Sequence, residues 1–150
     1  MKKVISTAVV FCILASLASC TPRHNAYDLL CEFVTTYGAE GVIYHPAADE
    51  SEDGFVYNGL LNKIYLYSGT FPENYAIFLN TRHDFSSECG VFVCTDADML
   101  GAVEEMCLER VALLCHNDSR AFVKRCGMTV FYSTMQDRDR AERIFNEIIR

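Results

Sequence analysis

A strand–strand–helix pattern occurs twice in the second half of this chain of 150 residues. Several residues recur at an offset of 39 positions, namely Val91 and Val130, Phe92 and Phe131, Thr95 and Thr134, Asp98 and Asp137, and Ala102 and Ala141. Each copy is a β-rich run, a Thr-x-x-Asp helix start and an amphipathic helix. Further candidate strands precede the copies, at residues 74–80 and 120–125. We therefore predict an α+β fold, a two-layer sandwich in which a mainly antiparallel four-stranded sheet of ββαββα order carries helices on one face.

The first half of the chain gives weaker signals. An additional N-terminal helix is predicted over residues 27–37, where apolar residues repeat at helical spacing. Residues 38–59 contain Gly, Pro and an acidic run, and we interpret them as a surface loop. Residues 60–67 are ambiguous between a helical turn and irregular chain. In the candidate strand at residues 91–94, the side chains that point to either side of the sheet are apolar. Either the N-terminal helix and residues 60–67 or a partner protein should therefore cover the second face of the sheet.

The first twenty residues predict export and a lipid anchor. Lys2 and Lys3 precede an apolar run that is too short for a membrane-spanning helix. The Leu-Ala-Ser block before Cys20 resembles the bacterial lipoprotein signal, in which this cysteine becomes the lipidated first residue. The prediction is a signal peptide at 1–19, a lipidated tether at 20–26 and a single domain at 27–150, held extracytoplasmically on a membrane. The alternative is ordinary secretory cleavage nearby, with Cys20 an unmodified thiol.

The charge of the mature chain excludes some partners. The chain has 13 Lys and Arg and 20 Asp and Glu, and loss of Lys2 and Lys3 with the signal leaves a net charge of about −9. This acidity argues against a nucleic-acid surface and against binding anionic headgroups by charge alone. The expected partners are the membrane, through the lipid anchor, and an envelope protein. No cofactor is predicted, and no metal site, because no Cys or His pair has structural-zinc spacing.

Six cysteines follow Cys20, and their redox state is open: Cys31, Cys89, Cys94, Cys107, Cys115 and Cys126. An even number in an exported chain is compatible with disulfides. Cys89 and Cys94 would lie roughly 16 Å apart on one strand, and Cys107 and Cys115 roughly 12 Å apart on one helix. Neither pair meets the limit of about 7 Å between Cα atoms. We favour buried free thiols, which behave as small hydrophobic residues.

Glu88 and Arg110 are predicted to form a structural ion pair. Arg110 falls near the middle of the apolar face of a helix predicted over residues 97–116, where a guanidinium needs a partner or access to water. From residue 97 to Arg110 the helix descends roughly 20 Å, and the strand from Cys94 back to Glu88 covers the same distance. The interpretation that we favour over this pair is that Arg110 extends to solvent at the end of the sheet, and a third is that it binds substrate.

Cys94 is the centre of the enzyme interpretation. It ends a strand just before a helix N-terminus, where a thiolate would be stabilised. His83, beside Asp84, and His116 are the conceivable bases. The alternative is a buried thiol with surface histidines, and no hydrolase, metalloprotease or phosphate-binding motif supports the enzyme.

Aromatic residues in the first half define a second candidate site. Residues 54–57, together with Tyr65, Tyr67 and Tyr75, either form an aromatic ligand surface or pack in the core.

The C-terminal half resembles a known family. The run Glu88-Cys-Gly-Val-Phe-Val followed by Ala102-Val-Glu-Glu-Met-Cys-Leu-Glu-Arg110 is similar to the uncharacterised bacterial lipoprotein family of domain of unknown function number 4358. In that family a strand of Glu-Ile-Ala-Val-Phe type leads into a helix with a similarly placed Arg. The Tyr-rich residues 65–75, the hairpin at 127–133 and the final helix also match. The resemblance covers residues 27–149 and implies a lipoprotein with a two-layer α+β fold, without a catalytic residue.

Three functions follow from the sequence. The favoured one is a membrane-anchored binding or accessory module at the cell envelope. The alternatives are a cysteine-dependent enzyme centred on Cys94 and a structural subunit of an envelope complex that uses the second apolar face of the sheet.

Overall fold

The computed structural model describes residues 25–81, 87–115 and 119–150. The predicted signal peptide and Cys20 lie outside these residues. In chain order the elements are α1 (Ala26–Tyr37), β1 (Gly41–Tyr44), α2 (Asn58–Ile64), β2 (Asn74–Asn80), β3 (Glu88–Val93), α3 (Ala97–Cys115), β4 (Phe122–Cys126), β5 (Thr129–Ser133) and α4 (Arg138–Ile148). The fold is α+β, as predicted, and none of the described helices combines the length and apolarity needed to cross a membrane.

The sheet has five antiparallel-paired strands in the order β1-β2-β3-β5-β4. From β2 onward the elements follow the predicted ββαββα order. The predicted count of four strands is wrong, because residues 41–44 lie in the segment interpreted as a loop and form the edge strand β1. This strand pairs with β2 in a register that sets Gly41 opposite Asn80 and Tyr44 opposite Ile77. Only four residues long, it is too short to give an alternation that sequence patterns detect.

Helices cover both faces of the sheet, so the predicted two-layer arrangement is wrong. α1 and α4 pack together on one face, over β-strand residues such as Cys89 and Val91. α2 and α3 pack on the other face, over residues such as Phe92 and Val130. β3 carries apolar side chains on both of its faces because helices bury both faces of the sheet there. The N-terminal helix and the 60–67 segment cover opposite faces, each beside one of the two helices from the repeated pattern.

Capping residues fix the ends of α1. The Asn25 side chain accepts a hydrogen bond from the backbone N–H of Tyr27, and Gly38 ends the helix with a φ of 75°. A left-handed residue after the last turn is the usual reason for glycine at this position. Since α1 begins at Ala26, the last residue of the predicted tether belongs to the folded part of the chain.

Candidate functional site

Glu88 and Arg110 form a buried ion pair between β3 and α3. Arg110 donates from Nε to Glu88 Oε1 at 2.9 Å and from Nη2 to Oε2 at 2.7 Å. The side chains are 9% and 1% exposed, respectively. The predicted pair is therefore present, and Arg110 does not extend to solvent. Two parallel hydrogen bonds of this kind hold a guanidinium in a fixed orientation.

Two tyrosines extend the ion pair into a network on the α2 and α3 face. The Tyr132 hydroxyl donates to Glu88 Oε1 in a short hydrogen bond, and the Tyr65 hydroxyl lies 2.5 Å from that of Tyr132. Arg110 also donates from Nη1 to the backbone carbonyl of Ile64 at 3.1 Å, and its guanidinium lies 5.2 Å from the centre of the Tyr65 ring. We call Glu88, Arg110, Tyr132 and Tyr65 the Glu88 network. It links β3, β5, α3 and the end of α2.

The protonation states of this network follow from burial and from the charge of Glu88. Burial raises the pKa of Tyr65 and of Tyr132 well above the ordinary value, and the nearby Glu88 carboxylate raises both further. Burial lowers the pKa of Arg110, but its hydrogen bonds to Glu88 outweigh this effect and leave the pKa above the ordinary value. At neutral pH both phenols are protonated and the guanidinium is charged. The two phenols and the guanidinium therefore act in this network as hydrogen-bond donors.

Gly90 makes room for Tyr132. The two residues are paired across β3 and β5. A Cβ atom on Gly90 would lie 2.5 Å from Cε1 of Tyr132 and 3.1 Å from Cε2 of Phe92. The bare backbone of Gly90 therefore lets the Tyr132 ring lie across β3 with its hydroxyl at Glu88. Glycine inside a strand often marks such a close approach, which is the one sequence signal that could have indicated this contact.

A cavity of about 190 Å³ lies beside the Glu88 network. α2 contributes Leu60, Leu61 and Ile64 to its wall, and β2 contributes Ile77 and Leu79. The remaining apolar and aromatic part of the wall consists of Tyr44, Phe55, Val56 and Tyr65. The charged groups in the wall are Glu88 and Arg110, which pair with each other. An apolar concave site with a few fixed polar groups is the usual form of a small-molecule site.

The aromatic residues predicted as a ligand surface are divided among this cavity, the core and the solvent-exposed surface, where Tyr57 lies with 70% exposure. Phe55 and Tyr65 reach the cavity. Tyr75 is buried and donates to Asn58 Oδ1 at 3.0 Å, while Tyr67 packs edge-on against Phe71. Sequence patterns could not separate these roles, because the separation depends on where α2 lies on the sheet.

Cys94 lies in an environment that opposes nucleophilic chemistry. It is 5% exposed, and burial, with a smaller contribution from Asp96, raises the pKa of its thiol to about 11. Asp96 instead caps α3, accepting from the backbone N–H of Met99 at 2.8 Å. A reactive cysteine needs the opposite shift in pKa. The proposed bases His83 and His116, with Asp84, lie outside the described residues.

The six cysteines of the described segments are all free thiols. Cys89, Cys94, Cys107 and Cys115 are buried, whereas Cys126 is exposed and Cys31 is intermediate. Within the same segments, no group of three or more His, Cys, Asp or Glu side chains is placed to hold a metal ion.

Fold and site together describe an α+β domain with an apolar cavity beside a buried, fully paired ion pair. Compared with family models, with curated proteins and with solved structures, the chain matches none.

Proposed function

We propose that this protein is a membrane-anchored extracytoplasmic lipoprotein that acts as a binding module at the cell envelope. The cavity beside the Glu88 network would be its ligand site. The observation that carries the binding role is a half-enclosed cavity of about 190 Å³ whose wall is apolar except for two charged groups that neutralise each other.

The anchor and the location rest on the sequence of residues 1–20. The basic start, short apolar run and Leu-Ala-Ser-Cys order support lipidation of Cys20. The resemblance to the lipoprotein family points the same way and stays a prediction. An envelope protein as a further partner is proposed on this location alone.

The chemistry of the cavity wall favours binding over catalysis. Both oxygens of Glu88 accept hydrogen bonds from Arg110, and Tyr132 donates to one of them. A general acid or base must exchange a proton with substrate near neutral pH. The raised pKa values of Tyr65 and Tyr132 keep these phenols protonated there. What the cavity offers a ligand is shape and apolar surface.

The two alternative functions have less support. The Cys94 enzyme would need a thiolate, whereas burial raises the pKa of this thiol to about 11. The structural-subunit hypothesis relied on an uncovered apolar face of the sheet, and helices cover both faces around β3 and β5.

Native mass spectrometry of the full chain, expressed in its host and extracted from the envelope, tests the anchor and the binding role together. Leu60→Trp should block the cavity, since Leu60 lines it and is 52% exposed. Leu113→Trp is the matched control, because Leu113 is 55% exposed on α3 and does not line the cavity.

We expect a diacylglycerol-sized mass that disappears in Cys20→Ser. We also expect a small molecule bound to the wild type and to Leu113→Trp but lost from Leu60→Trp. An unmodified cysteine would refute the lipoprotein assignment. If none of the variants carries a ligand, or if Leu60→Trp keeps it, the binding role of this cavity is wrong.

A further inference from the structure

The volume of the cavity limits its ligand to a small group. An engineered apolar cavity of about 150 Å³ stays dry and binds benzene. The present cavity, at about 190 Å³, is slightly larger. Complete drug-sized ligands need pockets of about 300 Å³ or more. A single ring or a short chain of about six to nine non-hydrogen atoms therefore fits the space.

The electrostatics of the wall exclude a charged ligand. Glu88 and Arg110 already bind each other through hydrogen bonds of 2.9 and 2.7 Å, and Arg110 also donates to the Ile64 carbonyl. A carboxylate in the cavity would lie beside Glu88, and an ammonium would lie beside Arg110. Either charged ligand would leave water without gaining an oppositely charged group that is free to bind it, and this desolvation is costly.

The opening of the cavity is apolar as well. Leu60 both lines the cavity and is half exposed, so it marks the point where the cavity meets solvent. An entrance bordered by an exposed leucine favours the passage of an uncharged, apolar molecule.

We propose that this cavity binds a small uncharged apolar molecule, an aromatic ring or short hydrocarbon of about six to nine non-hydrogen atoms. This inference rests on the proposed binding function and adds the chemical class of the ligand. The α2 and β2 side chains that line the cavity would contact the ligand. The Glu88 network closes one side of the cavity, and its two charged groups bind each other rather than the ligand.

Three probes of similar size test the class of ligand: toluene, benzoate and benzylammonium. The exported chain carrying Cys20→Ser is suitable, because it needs no detergent that would compete for apolar probes. Thermal unfolding is measured for this protein and for the same protein carrying Leu60→Trp or Leu113→Trp. Methyl NMR spectra of the Cys20→Ser protein alone provide a readout that needs no cavity variant.

We expect toluene, at ten times its dissociation constant, to raise the unfolding midpoint by about 3–6 °C. Leu113→Trp should keep this shift and Leu60→Trp should lose it. Methyl resonances of Leu61, Ile64 and Ile77 should respond to toluene, and neither charged probe should act.

If benzoate or benzylammonium binds and Leu60→Trp abolishes this binding, the inference that the ligand is uncharged is wrong. The same result would support the cavity as a binding site. If no probe shifts the midpoint or the methyl resonances, the inferred ligand class is wrong. In that case the ligand found by native mass spectrometry decides whether the proposed function survives.

Discussion

At the scale of single residues, the ion pair between Glu88 and Arg110 is the most consequential contact of the molecule. Taking two charges out of water is costly, and their attraction offsets this cost only when the geometry is good and the other hydrogen bonds are satisfied. Here the pair is bidentate, and both Tyr132 and the Ile64 carbonyl take part. The pair orients four elements, but removal of one member leaves the other as an unpaired buried charge.

Arg110→Met should therefore destabilise the protein by about 3–5 kcal/mol, because Glu88 would remain buried without its cation. The double variant Glu88→Leu with Arg110→Met should recover much of this loss. Lys124→Met is the control, since Lys124 pairs with Glu142 at side-chain exposures of 30% and 38% and should cost less than about 1 kcal/mol. Urea unfolding measures all three. A loss below about 1 kcal/mol for Arg110→Met would contradict the structural role of the pair.

The same residues show what sequence reasoning can reach. The common level of Glu88 and Arg110 was predictable, because the rise per residue in a helix and in a strand places the two side chains there. Their pairing was not, because the sequence equally allowed Arg110 to reach solvent at the end of the sheet, which was the favoured interpretation and is wrong. The contacts of Tyr65, Tyr132 and Gly90 were not predictable. They depend on the pairing of β3 with β5 and on the position of α2, which no local pattern specifies.

At the scale of elements, α2 is followed by Leu66, which is the described residue other than glycine that has a positive φ. The backbone N–H of Tyr67 donates to the Asn62 carbonyl at 2.9 Å, and Leu66 between them has a φ of 51°. This is the helix-ending motif in which glycine usually occupies the left-handed position. Leucine there costs about 1–2 kcal/mol, and Leu66 is 70% exposed, so little burial compensates for the strain.

Leu66→Gly should raise the free energy of unfolding by about 0.5–1 kcal/mol, since relief of strain exceeds the larger backbone entropy of glycine in the unfolded chain. Leu108→Gly, at a similarly exposed position inside α3, should instead lower it by about 1 kcal/mol. Chemical denaturation compares the two. Equal destabilisation by both substitutions would show that the left-handed conformation of Leu66 carries no strain.

Helices and strands were predicted correctly where the apolar periodicity extends over many residues. They were missed where it extends over few residues. The N-terminal helix and the ββαββα order follow from apolar spacing and capping residues. The edge strand β1 was not predicted, because four residues are too few to show a clear alternation of apolar and polar side chains. The faces were assigned wrongly because an amphipathic helix reveals that one side is buried, but not which face of a sheet it covers.

At the scale of the whole molecule, the three-layer arrangement explains how a cavity forms. α2 has only seven residues and shares its face of the sheet with α3. Arg110 of α3 holds the last carbonyl of α2, and the Glu88 network fixes α3 to the sheet. The space between α2 and β2 is thereby kept open beside a rigid polar wall. We expect water in this half-enclosed space to be poorly ordered, because the polar groups in the wall already bind each other and water needs two to four polar partners to be held.

Xenon binding to crystals of the protein is the most direct test of this account. An apolar cavity without free polar groups takes up xenon, whereas one with free polar groups holds ordered water. We predict one xenon site between α2 and β2, in contact with Leu61 and Ile77 and lost in crystals of Leu60→Trp. Ordered water bonded to Glu88 or Arg110 in that space, with no xenon, would contradict the claim that this cavity is an apolar ligand site.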